Sequence, residues 1–242
     1  MNSVHQLVDW LGTGSNWGGR DGAGKRIVEH LVLTAVSLGI AGAVAVPLGV
    51  WLGHTGRGGA LAINVSNAAR AVPTFAVLVL LAVGPLGLGN TAVVVSLVLF
   101  ALAPMLTNSY VGVDGVDRDV RESARAMGMT EWQVLRSAEL PLAVPLVMTG
   151  IRIATVQVVA TATIAALIGG GGLGRLVVDG FTTQDRGMLL AGAVLVAALA
   201  LLLDGVLALV QHAVDPLNRR GGGPVSAELG ERAEETVAVQ QT

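Results

Sequence analysis

Few side chains in this 242-residue chain could do chemistry, and their spacing narrows the choice quickly. Cysteine is absent, which excludes disulfides, thiol catalysis and cysteine-based zinc sites. The four histidines, His5, His30, His54 and His212, are scattered and form no HxxxH pair, so no metal site is expected. An intramembrane enzyme would need a Ser/His/Asp or metal constellation, which His30 alone does not supply. Residues 169–174 read GGGGLG and formally fit GxGxxG. That fingerprint binds dinucleotides only between a strand and a helix of a βαβ unit. It is not a P-loop either, because Arg175-Leu176 follows where Lys and then Ser or Thr are required. The chain has no nucleotide site of its own. The segment reads either as a flexible turn or as an external gate with close helix packing.

Polar residues inside apolar runs remain. Asn64, Ser66 and Asn67 precede Arg70. Arg152 shares a run with Thr155, Gln157, Thr161 and Thr163, and Asp204 interrupts the last run. A charge at membrane depth is expensive, and it marks a pathway or an internal partner. Asn67, Arg70, Thr161 and Thr163 are therefore candidates for lining a translocation path. The competing reading for Arg70 is snorkelling to the interface; for the threonines it is interhelical hydrogen bonding. Arg152 and Asp204 are candidates to pair with each other.

Charge also concentrates in VRESARAMGMTEWQVLRSAELPLAVP, residues 120–145. Asp119 followed by Glu122 fits an N-cap with a capping-box partner, and Gly128 suits the left-handed position that closes a helix. Thr130 with Gln133 makes a second capping box, opening a helix from Glu131 to about Glu139 that Pro141 is expected to stop. Val120, Ala124 and Met127 share one face; Trp132, Leu135 and Ala138 or Glu139 continue the pattern. Such an amphipathic hairpin either docks into a groove on another protein or lies on lipid headgroups.

The rest of the chain places these residues in a membrane. Hydrophobic residues make up 52% and charged residues 13%, about half the charged share of a soluble domain. The mean hydropathy is +0.68. No basic cluster suggests nucleic acid. A crossing helix needs roughly 20 apolar residues. Such runs occur at 31–52, 61–83, 90–109, 142–168 and 188–210, with the turn-forming GPLGLGN at 84–90 separating the second from the third. The expected fold is an all-α membrane protein of about five spans. A polar segment (1–26) precedes the transmembrane domain (27–214), which carries the charged loop at 114–141, and a disordered tail (215–242) follows. No secretory signal peptide is expected at the N-terminus. With five spans, Arg57, Arg118, Arg121, Arg125, Arg136, Arg219 and Arg220 share one side. Arg20, Lys25, Arg26, Arg175 and Arg186 share the other. The bias puts the hairpin and C-terminus in the cytoplasm and the N-terminus outside.

The hairpin resembles the EAA loop of bacterial ABC-importer permeases. That pattern is E-A-A, three residues, G, nine residues, I, one residue, L-P. Glu122, Ser123, Ala124, Gly128, Ala138, Leu140 and Pro141 stand at its positions, with Ser123 and Ala138 departing from the family's Ala and Ile. ARAVPTFAVLVLLA (69–82) and ATATIAALIGGGGLG (160–174) are similar to importers of quaternary-amine osmoprotectants such as glycine betaine, choline and carnitine. The resemblance covers about 30–212. It implies a subunit of the bacterial plasma membrane that is not an enzyme and holds no cofactor. Its implied partners are a cytoplasmic ABC ATPase that uses the ATP, a second permease subunit (itself or a paralogue), and an extracytoplasmic binding protein. Glu122, Ala124, Gly128, Leu140 and Pro141 would couple it to the ATPase. One tyrosine, three phenylalanines and four tryptophans assemble no convincing aromatic cage for a quaternary ammonium. This agrees with a conduit whose selectivity sits in the binding protein. The rival solute is methionine, whose importers share the EAA loop, and the rival mechanism is a stand-alone ion-coupled carrier using Arg70, Arg152 and Asp204.

Overall fold

The computed structural model describes residues 3–59, 63–64, 66–68 and 72–215. The described elements are helical. They are α1 (Ser3–Gly12), α2 (Ala23–Thr55), α3 (Thr74–Val83), α4 (Asn90–Asp114), α5 (Arg118–Ala126), α6 (Glu131–Val134), a π-turn (Leu135–Glu139), α7 (Leu140–Ala165), α8 (Gly174–Thr182) and α9 (Arg186–Val214). Four of them, counting Glu131–Ile168 as one unbroken rod, are long and apolar enough to cross a bilayer. The shorter α3 is the fifth apolar segment. Its ten residues reach about 15 Å, half of a hydrocarbon core. The expected run at 61–83 lies partly outside the described residues, as do Arg70 and the tail beyond 215.

Helix α4 is the spine, and α2 and α7 pack on its two sides. Small residues make this possible. Ser37, Ala41, Ala45, Gly49 and Gly53 repeat every four residues on one face of α2, and all are buried. A Cβ on Gly49 would come within 2.7 Å of the Leu106 carbonyl, and one on Gly53 within 2.7 Å of the Tyr110 carbonyl. Lipid supplies no hydrophobic drive between helices, so close backbone approach and van der Waals contact hold such a pair together. The main core gathers Ala41, Ala45, Leu97, Ala101, Met105, Ala154 and Val158 around this seam.

The bundle has two ends. At one, the hairpin 117–139 caps α2, α4 and α7. At the other, GGGGLG closes over the start of α2, beside the amphipathic α1 that packs on α9. The glycine segment is not slack. Glu29 Oε2 accepts the Gly172 N–H at 3.0 Å, and His30 Nδ1 accepts the Leu173 N–H at 3.2 Å. Because Nδ1 accepts, the ring proton sits on Nε2, which donates to the Val159 carbonyl at 3.2 Å. Gly172 has φ +88°, and a Cβ there would strike His30 Nδ1 at 2.9 Å. Backbone conformation and packing both require glycine at this position.

His30 is wholly buried, so His30→Leu orphans the Leu173 N–H in a dry site. The expected loss is about 2–3 kcal/mol, or roughly 5–10 °C in the unfolding midpoint of the detergent-purified protein. An unchanged midpoint would refute the tie.

Candidate functional site

The hairpin begins at a cap two residues earlier than its sequence implies. Asp117, not Asp119, is the N-cap of α5, accepting the Asp119 N–H at 2.8 Å. Glu122 makes no capping box; it pairs with Arg118 at 2.7 Å on the surface. An Asp two residues before the expected position competed for the same orphan donors and won. Helix α5 ends at Ala126 with Met127 as its cap, and Gly128 just beyond has the φ of +83° of the left-handed closure expected there. The capping box of Thr130 and Gln133 is present and opens α6.

Pro141 does not stop the second helix. Leu140 N–H reaches the Leu135 carbonyl, five residues back, and the chain passes through this wide turn directly into α7. Proline lacks an N–H and is tolerated in the first turn of a helix; the π-turn places it in the first turn of the resumed α-helix. The hairpin is thus the end of a transmembrane rod with no hinge between them.

Beneath the hairpin lies a closed polar ring. Glu139, in the π-turn, is completely buried. Arg121 Nε of α5 stands 3.0 Å from Glu139 Oε1, a close ion contact without hydrogen-bond alignment. His54 Nδ1, at the end of α2, contacts Glu139 Oε2 at 2.6 Å, and His54 Nε2 faces Glu131 at 3.7 Å. Glu131 closes the ring by a two-point contact with Arg125 of α5, at 2.9 and 3.0 Å. Arg121 also donates to the Val113 carbonyl at the end of α4. Arg121 supplies the opposite charge that a buried carboxyl group needs, and His54 Nδ1 lies within hydrogen-bond distance of its other oxygen.

The expected coupling residues are brought together here. Glu122 and Gly128 are exposed, Leu140 and Pro141 are half-buried at the entry to α7, and Ala124 is 3% exposed, packed inside the hairpin. The most exposed large apolar residues of the hairpin are Met127 and Trp132, 72% and 65% exposed. His54, Glu131 and Glu139 carry the ring, and sequence spacing did not reveal it: His54 lies 85 residues from Glu139. The only sequence signal was the Glu that stands immediately before Leu-Pro.

The path candidates sit on separate elements. Asn67 is exposed and helical, next to buried Ser66, whose hydroxyl bonds to α4 at the Ala103 carbonyl and to Thr107. Thr161 is buried on α7. Thr163 donates to the Val159 carbonyl at 3.2 Å, the same acceptor that His30 uses. Arg70 lies outside the described residues. Arg152 and Asp204 do pair, through two parallel bonds of 2.9 and 3.0 Å, and Arg152 also reaches Gln211 at 3.0 Å.

The sequence model described as the binding-protein-dependent transport system inner membrane component matches residues 45–219. The carnitine transport permease protein OpuCD of Listeria monocytogenes is 36% identical over 91% of this chain and 96% of its own length. The glycine betaine/carnitine/choline transport system permease protein OpuCB of Bacillus subtilis is 36% identical over 82% and 91%. The osmoprotectant import permease protein OsmW of Salmonella typhimurium is 34% identical over 89% and 98%. A solved structure of the MetNI methionine ABC transporter in an inward-facing form overlays with a TM-score of 0.68 at 24% identity, covering 78% of this chain and 94% of that one.

Removing one partner of a buried ion pair strands the other. Glu139→Leu is expected to destabilise the purified chain by about 3–5 kcal/mol, and Arg121→Leu with Glu139→Leu to restore part of that. Thermal unfolding in detergent measures both. Equal losses in single and double variants would mean that the pair does not hold the ring.

Proposed function

Because the chain belongs to the family of inner membrane components of binding-protein-dependent transport systems, we propose that it is the permease subunit of an ATP-driven importer of quaternary-amine osmoprotectants. The observation that carries the reading is the hairpin: a capped knob on an ion-paired base, continuous with a transmembrane rod and presenting Met127 and Trp132. Such an object suits a groove on a partner better than a lipid surface, because its base is braced against sideways load. The substrate class rests on relatives named for carnitine, choline and glycine betaine transport.

In this reading a cytoplasmic ABC ATPase receives the hairpin. Glu122 and Gly128 lie on the contact surface, while Ala124 keeps the two short helices together. Leu140 and Pro141 pass the displacement into α7, whose tilt flips the bundle between inward- and outward-facing forms. A second permease subunit completes the conduit, and an extracytoplasmic binding protein delivers the solute. Asn67, Arg70, Thr161 and Thr163 are kept as candidates for the path. The chain needs no cofactor of its own; GGGGLG followed by Arg175-Leu176 supports ATP use by the partner alone.

The orientation follows from charge. Arg57, Arg118, Arg121, Arg125 and Arg136 lie at the hairpin end, where α9 also finishes before Arg219 and Arg220. The positive-inside tendency makes that end cytoplasmic and the N-terminus external. At the other end Lys25 and Arg26 are paired with Glu29, and Arg26 also with Asp21.

The test is a pull-down of the tagged chain in mild detergent, with mass spectrometry of what accompanies it, for wild type and Gly128→Asp. A Cβ at Gly128 meets nothing within 4 Å, so the aspartate clashes with no neighbour, but at φ +83° it also strains the turn, and Gly128→Asn, with the same backbone demand and no charge, is the control. Wild type is expected to recover an ATPase, and the variant to lose about tenfold or more of it, the size of one unfavourable charge in a docked interface. Equal recovery with both would reject docking at this turn, and no ATPase with wild type would favour the stand-alone carrier.

A further inference from the structure

The Arg152–Asp204 pair has a setting that a plain structural brace does not need. Arg152 is the thirteenth of the 26 residues of α7, at the middle of the span. Its guanidinium binds both Asp204 oxygens of α9, and its remaining arm reaches Gln211, which in turn donates to the Pro145 carbonyl and the Thr149 hydroxyl. These bonds fix the arginine in one orientation. Yet the pair is not enclosed: the two side chains are 31% and 34% exposed. They open onto a groove of about 580 Å³ whose polar lining is Thr149, Arg152, Gln157 and Asp204, with Ile153 and Val156 as its apolar wall. That volume is in the range of small-molecule sites.

An ion pair one-third open at mid-depth is costly against hydrocarbon, so in the assembled importer the groove meets water, a polar solute or the second permease subunit. It offers a carboxylate and a guanidinium side by side, oriented by fixed neighbours. We infer that this groove is a mid-membrane station of the transport path, where a small quaternary-ammonium solute inserts between Arg152 and Asp204. The fixed cation faces Asp204. Where the solute is a zwitterion, its carboxylate takes the exposed side of Arg152. For a zwitterion each charge exchanges one partner for another of the same sign, so the desolvation already met by the pair is not met again; for a cation alone, Arg152 keeps its bond to Gln211. No aromatic cage is required, because the pair itself supplies the charges. The inference rests on the transport reading above and adds a site to it.

Uptake by the complete importer in ATP-loaded proteoliposomes, with its binding protein, tests the site. Labelled glycine betaine, a zwitterion, and labelled choline, a cation without a carboxylate, are the probes. Arg152→Gln is expected to lower betaine uptake about tenfold or more relative to choline, the size of one lost charge-assisted contact. Asp204→Asn is expected to lower both. Two further variants guard against misfolding. Arg152→Gln with Asp204→Asn leaves no unpaired charge in the membrane, and Arg152→Asp with Asp204→Arg keeps the pair but reverses it. Both are expected to accumulate in the membrane and to lose uptake of both solutes. Wild-type uptake by either double variant, or the same fractional loss of both solutes in each single variant, would overturn the site and leave a structural brace. If wild type carries only one of the two solutes, the double variants decide. If it carries neither, the transport reading fails, and the site with it.

Discussion

Everything at the hairpin end depends on one buried carboxylate. Glu139 is shut away from solvent in the only π-turn among the described residues, with Arg121 on one oxygen and His54 on the other. Water cannot stabilise it there, so its neighbours must. That need fixes the register of α5 against α6, because Arg121 cannot reach Glu139 from another rotation of α5. It also fixes the end of α2, because His54 must sit within 2.6 Å. The hairpin is therefore a rigid extension of three transmembrane helices. Exposed pairs such as Arg118–Glu122 contribute little by comparison, since solvent and mobile ions screen them.

The membrane portion obeys a different constraint. With no hydrophobic drive between helices in lipid, contact must come from fit, and fit comes from small residues on α2 and α4. The stripe of Ser37, Ala41, Ala45, Gly49 and Gly53 lets α2 lie flush on α4. The same economy leaves few side chains to line a passage, so the polar ones that remain at depth are conspicuous. Thr163 is spent on its own helix, and Ser66 on α4. Arg152 and Asp204 are spent on each other, though with one face left open.

Much of this was legible in the sequence where the signal is local. Apolar runs, the GPLGLGN turn, Gly128 and the Thr130–Gln133 box depend on residues within a few positions of one another. Two local readings failed for identifiable reasons. Asp117 and Asp119 are both good caps, and only the path of the chain out of α4 decides between them. Pro141 ends most helices, but a preceding π-turn supplies a geometry that accepts it, and no residue pattern announces that turn. The long-range ties were not legible at all. His30 meets residues 129 and 143 positions away, and His54 meets one 85 away. Scattered histidines signal no metal site, because metal sites need clustered ligands, and they signal nothing else at the level of sequence. Here each one acts alone: His30 hydrogen-bonds through both ring nitrogens, and His54 bonds Glu139 through one while the other faces Glu131 at 3.7 Å.

Those two histidines stand on the same helix. His30 holds the glycine loop near the start of α2, and His54 holds the hairpin near its end, about 36 Å further along at 1.5 Å per residue. A rigid α2 would make the two ends of the bundle move together: a hairpin displaced by a partner would carry His54, and with it Glu29 and His30 under Gly172 and Leu173. Independent movement requires either that one tie break or that α2 bend. Pro47 lies between the ties, seven residues before His54, and an internal proline is where a helix bends most readily. The short portion beyond Pro47 bears the hairpin contact, while the long portion before it bears the loop and most of the small-residue stripe. The sequence thus places the weak point of α2 close to the hairpin, where bending leaves the tie to the glycine loop least disturbed and is resisted by the close contacts of Gly49 and Gly53 with α4.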